Sequence, residues 1–188
     1  MLKKCLSILL AIVMMLSCMT AVAIDAVATD ATPTGTPITS LSQISDKAGD
    51  YYLATDIVSN NTTVSGTFTG TLDGNGKTIT TSVPLFNDLG TGAEVKNLTT
   101  AGTLTTTEVN YGVVAKTATG AFTMTNCTNN AKITYTVSGT DHVKIGGFVG
   151  KVTAGGVTMT KCTNNGSISI SAKNTAKQAY VGGLIGYN

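Results

Sequence analysis

Residues 112–133 read GVVAKTATGAFTMTNCTNNAKI, and residues 147–168 read GFVGKVTAGGVTMTKCTNNGSI. The two stretches are offset by 35 residues, and twelve of their 22 positions are identical. Most of the other positions exchange one small or apolar residue for another. A third copy opens at Gly182-Gly183-Leu184-Ile185-Gly186-Tyr187. Self-similarity at a fixed period of this size marks a repeat architecture.

Within one unit, three short strands are expected: Gly147 to Val152, Gly156 to Thr160 and Gly166 to Ala172. Thr, Val, Ile and Ser alternate there between Gly and Asn, which is a strand signal. A three-stranded piece cannot bury its apolar side alone, and stacking copies supplies the missing face. The unit has no helical segment for a helical crossover. Each strand is therefore expected to pair with its counterpart one turn along. The fold class expected is an all-β, right-handed parallel β-helix, the hand following the usual crossover preference. Met124 and Met159 occupy equivalent positions and should lie one above the other.

Outward from this core, Asp73-Gly74-Asn75-Gly76 reads as a tight turn, since Asn and Gly tolerate positive φ. Thr78 and Pro84 stand where an EF-hand loop needs Gly and Glu, so the segment is not a calcium loop. Residues 24–40 are rich in Ala, Thr, Asp and Pro and read as a flexible linker, and Leu41 to Asp50 as a short helix or capping turn. The β-solenoid domain is expected over residues 41–188. Because the chain stops inside the third copy, further repeats are expected beyond it.

The amino terminus carries Lys3-Lys4, an apolar run from Cys5 to Leu16, and Ala21-Val22-Ala23. This is the layout of a secretory signal peptide over residues 1–23, cleaved after Ala23. The run is shorter than the ~20 residues a spanning helix needs. Lipoprotein processing at Cys18 is the competing reading. After cleavage, ten lysines face ten acids and no Arg is present. Without a clustered basic patch, neither nucleic acid nor insertion in a membrane is expected.

At these residues the chain resembles a known family. Residues 66–79, GTFTGTLDGNGKTI, are similar to a rung of bacterial surface β-helices, and Val95-Lys96-Asn97-Leu98 resembles the segment that follows it. Gly146-Gly147-Phe148-Val149-Gly150 and Gly182-Gly183-Leu184-Ile185-Gly186 resemble the GLUG motif of bacterial cell-surface proteins and immunoglobulin-A peptidase precursors. The resemblance runs from about Tyr51 onward and implies a structural or adhesive repeat region attached to other modules. In the Gly112 copy, Ala115 stands where the motif has Gly.

Candidate site residues are few. Cys127 and Cys162 fall at the same place in adjacent copies, about 4.8 Å apart by strand spacing. They read either as a disulfide or as two buried thiols. With two ligands at most and no nearby His, no metal is expected there. Asn129 and Asn164, flanked by Asn130 and Asn165, are expected to stack as amide ladders. His142 reads as a solvated loop residue, since sequence adjacency to Asp141 builds no triad. The repeats are nearly free of acids, so no paired carboxylates of the glycosidase kind stand out. The expectation is a secreted or cell-surface, non-catalytic structural or adhesive module, without cofactor, facing an extracellular glycan or a host or cell-surface protein. The alternatives are a glycan-binding module and the leading region of a polysaccharide-acting enzyme or surface peptidase.

Overall fold

The computed structural model describes residues 32–136, 142–171 and 178–188. The leader expected over residues 1–23, with Cys18, lies outside the described residues, as does Asp141. Strand β1 (Thr36–Ile38) and a 3-10 turn over Leu41–Gln43 precede five stacked coils. Coil 1 holds β2 (Asp50–Leu53), β3 (Ile57–Ser59) and β4 (Val64–Phe68). Coil 2 holds β5 (Thr71–Asp73), β6 (Thr78–Thr81) and β7 (Phe86–Leu89). Coil 3 gains two strands: β8 (Ala93–Lys96), β9 (Thr99–Ala101), β10 (Thr103–Thr106), β11 (Asn110–Gly112) and β12 (Ala115–Ala118). Coil 4 repeats that plan as β13 (Phe122–Thr125), β14 (Thr128–Asn129), β15 (Lys132–Thr136), β16 (Val143–Gly146) and β17 (Val149–Val152). Coil 5 is β18 (Val157–Thr160), β19 (Thr163–Asn164), β20 (Ile168–Ser171), β21 (Ala179–Gly182) and β22 (Ile185–Tyr187).

Every strand pairs in parallel with its counterpart one coil away, forming five sheets. The protein is a parallel β-helix. Sheet 1 runs β1-β2-β5-β8-β13-β18, sheet 2 β3-β6-β9-β14-β19 and sheet 3 β4-β7-β12-β17-β22. Sheets 4 and 5, β10-β15-β20 and β11-β16-β21, exist only in coils 3 to 5. The wide coil thus carries five strands where the sequence suggests three. Two strands escape the sequence reading: the two-residue Thr128–Asn129 with its counterpart Thr163–Asn164, too short to show a period, and Val143–Gly146, which ends in a motif glycine that masks its alternation.

In-register pairing stacks like positions into columns. Tyr51, Leu72, Val95, Met124 and Met159 form one inward column of sheet 1. Phe68 and Phe86 stack at 4.5 Å between ring centres in the narrow coils. The main core runs through all five coils. A second cluster, built on Leu104, Tyr111, Ile133, Tyr135 and Ile145, fills the lobe enclosed by sheets 4 and 5.

The amino-terminal end is closed. Ile38, Leu41 and Ile44 are buried in the main core. Ser40 and Gln43 form a capping box that satisfies the backbone N–H groups of the 3-10 turn. Strand β1 therefore lies within the segment read as linker. Pro37 is tolerated there because β1 is an edge strand, paired on one side alone with β2.

The repeat alignment holds for one part of the coil and slips in another. Phe122 pairs with Val157 and Ile133 with Ile168, the 35-residue offset of the sequence. Gly112, however, pairs with Gly146, and Ala115 with Val149. Ala115 therefore matches an apolar inward position and does not replace a motif glycine. The turn from β12 to β13 is one residue shorter than that from β17 to β18, and it absorbs the slip.

Candidate functional site

Several polar side chains that could do chemistry are engaged in joining one coil to the next. Sheet 2 carries the clearest example. Its inward column begins as Ile57 and Ile79 and continues as Thr100, Asn129 and Asn164. The Thr100 hydroxyl donates to Asn129 Oδ1 at 2.8 Å. Asn129 Nδ2 donates to Asn164 Oδ1 at 2.8 Å and to the Gly147 carbonyl at 3.2 Å. Asn164 Nδ2 donates to the Gly183 carbonyl at 2.7 Å. The backbone N–H of Ala131 and of Gly166 each donate to the local Asn Oδ1 at 3.0 Å.

These asparagines are struts that cross the interior from sheet 2 to the corner between sheets 5 and 3. A Cβ at Gly147 would stand 2.5 Å from Asn164 Nδ2 and 2.3 Å from the Gly183 carbonyl oxygen. The motif glycine is thus required by the close approach of the strut. At Gly146 a Cβ would meet the Val149 carbonyl oxygen at 2.0 Å, so the corner itself also excludes a side chain. Asn130 and Asn165 form a second, exposed rung, Nδ2 to Oδ1 at 3.1 Å.

A third ladder runs along the corner between sheets 1 and 2. Asn97, Asn126 and Lys161 stand there at positive φ, between 51° and 55°. Asn126 Nδ2 donates to Asn97 Oδ1 at 3.0 Å, and Asn97 Nδ2 donates to Asp73 Oδ1 at 3.1 Å. Asn is the non-glycine residue most at ease in this region, and its amide reaches the neighbouring coil.

Sequence reading did not single out Asp88. It lies in sheet 3 with 6% of its surface exposed. Thr67, Thr117 and Thr119 donate hydroxyl hydrogen bonds to its carboxylate at 3.0, 2.7 and 2.5 Å. Three donors satisfy the carboxylate without a cation. The signal was available only as a column, Thr67–Asp88–Thr117, whose register crosses coils of different length.

Cys127 is buried, Cys162 half-buried, and both are free thiols. Burial pushes the Cys127 thiol up to about 12. Met124 and Met159 are register partners; Met124 is fully buried and Met159 half-buried. His142 is exposed, with its ring 6.1 Å from that of Tyr180. Among the described residues no three His, Cys, Asp or Glu side chains gather as a metal site would require.

A concave feature lies at the start of sheet 1, where the chain turns in from sheet 3. A groove of about 350 Å³ runs over coils 3, 4 and 5 and is lined by Gly92, Ala93, Ala121, Phe122, Thr123, Gly156 and Thr158. Glycine and alanine keep it open, while Thr123 and Thr158 present hydroxyls in register one coil apart. Among the described residues no helix is long and apolar enough to cross a membrane.

No family model, curated protein or solved structure matches the chain. The likeness to GLUG-motif surface proteins rests on the motif residues themselves.

Proposed function

We propose that this protein is an exported, cell-surface structural or adhesive module, a rigid β-helical spacer that holds or extends other modules. The observation that carries this reading is the use made of its polar groups. Asp73, Asp88, Asn97, Asn129 and Asn164 all spend their hydrogen bonds within and between coils. Such ladders rigidify a stack whose neighbouring layers are otherwise held by backbone pairing and apolar contact. Each coil advances the axis by about 4.8 Å. The signal-peptide layout of residues 1–23 supports export, and the GLUG-like corners support display on a bacterial surface.

A second reading, glycan binding, is favoured by the groove at the start of sheet 1. Its small apolar lining and paired hydroxyls suit a neutral sugar chain lying along the axis, since sugar faces are apolar and their edges hydrogen-bond. The purified full-length chain should hydrolyse no polysaccharide or peptide in a substrate panel; turnover would contradict the spacer reading. Retention on a glycan array that Gly156→Trp abolishes would establish the second reading. A Cβ at Gly156 meets nothing within 4 Å, so the bulky side chain fills the groove without disturbing the fold.

A further inference from the structure

We infer that Cys127 and Cys162 form a thiol–disulfide exchange site that staples coil 5 to coil 4. Register fixes the pair from both sides: Thr125 pairs with Thr160, and Thr128 with Thr163. The Thr163 N–H donates to the Cys127 carbonyl at 2.9 Å. The two cysteines are therefore stacked at the strand spacing of about 4.8 Å, inside the Cα range that a disulfide spans. Both side chains turn inward: Cys127 belongs to the main core and Cys162 packs against it. The Cys127 thiol donates to the Thr125 carbonyl at 3.4 Å, and the Cys162 thiol to the Met124 carbonyl at 3.5 Å.

The position of the pair gives the bond a purpose. Inward residues of coil 4 are buried, whereas their partners Val157, Met159, Ile168 and Ile170 in coil 5 are only partly so. A covalent link closes a 35-residue loop and holds the partly buried residues of coil 5 against the core of coil 4.

The oxidant is a small-molecule disulfide. The half-buried Cys162, as thiolate, attacks one sulfur of the reagent and expels a thiolate, leaving a mixed disulfide on Cys162. Cys127, as thiolate, then attacks Cys162 Sγ and expels the second small thiolate. Two protein thiols lose two protons and two electrons, and the reagent becomes two thiols. Because burial holds the Cys127 thiol at about 12, the second step accelerates about tenfold per pH unit below that value.

The test is incubation of the full chain with oxidised glutathione, followed by tryptic mapping. Cys127 lies alone in the peptide 117–132 and Cys162 alone in 162–173, which separates them from Cys5 and Cys18. The expected product is one linked pair of these peptides within a single chain, lacking two hydrogens. Glutathione should appear first on Cys162 and persist there in Cys127→Ser. Hydrogen exchange across residues 157–171 and 178–187 should slow after closure. Separate adducts on both cysteines without a linked pair, links between chains, or earlier reaction at Cys127 would each overturn the assignment. The wild-type mapping stands even if a serine variant fails to fold.

Discussion

The narrow coils and the wide coils of this solenoid solve the same packing problem differently. From coil to coil the register advances by 21 and 23 residues through Asp50, Thr71 and Glu94, then by 29 and 35 through Thr123 and Thr158. Coils 1 and 2 enclose one apolar core between three sheets. Coils 3 to 5 keep those sheets and insert two more between sheets 2 and 3, which creates a second lobe. Where the cross-section opens, the inward column of sheet 2 changes from Ile57 and Ile79 to Thr100, Asn129 and Asn164. An apolar side chain at Asn129 would leave the buried Ala131 N–H without its acceptor and take the amide donor from the buried Gly147 carbonyl. A buried polar group without a partner is costly, so a polar strut replaces an apolar one.

The comparison can be broken first in the narrow coils. Phe86→Ala removes one ring of the stacked Phe68–Phe86 pair from a core with no second lobe to relax into. A loss of about 3–5 kcal/mol is expected in chemical unfolding, with coils 1 and 2 affected most. A loss below about 1 kcal/mol would show that the narrow core is not packed as described.

In the wide coils the sensitive element is the strut. Asn129→Leu fits the apolar character of this column in coils 1 and 2 but takes the acceptor from the Ala131 N–H and the Thr100 hydroxyl and leaves the Gly147 carbonyl with the longer Val113 N–H bond alone. About 2–3 kcal/mol should be lost. Hydrogen exchange should quicken in coils 3 to 5 while coils 1 and 2 hold. Equal quickening throughout would erase the distinction between the two regions.

Alkali sharpens the same contrast. The buried Tyr111 hydroxyl, desolvated and close to Glu108, is raised to about 12, and Cys127 likewise. Both are acids whose folded-state value lies above the unfolded one, so the unfolded chain loses its protons first. The stability tied to their neutral forms is complete below about pH 9 and declines as pH rises toward 12. Both belong to wide coils, so alkaline unfolding should begin there. Tyr111→Phe should lose less stability than wild type between about pH 9 and 11; identical profiles would remove Tyr111 from the account.

Much of this was legible in the sequence, for a definite reason. The stretches 122–133 and 157–168 share a coil length, a corner and the TMT and CTNN segments, so identity coincides with register. The amide ladders follow from the same stretch, because Asn129 and Asn164 stack once the register is known. Coils 1 and 2 show no such identity. Their columns exchange Tyr51 for Leu72, and Val95 follows in coil 3, since each position needs only an apolar side chain. The slip at Gly112 was hidden because Val114 and Lys116 match Val149 and Lys151 by chance at the wrong offset. The reach of Asn129 to Gly147 follows from no periodicity: it crosses the interior between elements 18 residues apart.

The smallest expected effect lies at the corner ladder. Lys161 occupies positive φ where the two coils before it use Asn97 and Asn126. Lys161→Asn should stabilise coil 5 by about 0.5 kcal/mol, through easier backbone conformation and an amide that can bond to Asn126. Destabilisation would mean that the corner is not shared across the coils.

The most direct test of stacked, in-register coils is the distance between spin labels at Asp50 and Thr158, residues far apart in sequence that fall in one outward column of sheet 1. Four coil steps separate them, so a narrow distribution centred near ~19 Å between backbones is expected. A broad distribution, or one centred beyond ~30 Å, would contradict the parallel β-helix, because four steps at strand spacing cannot reach that far.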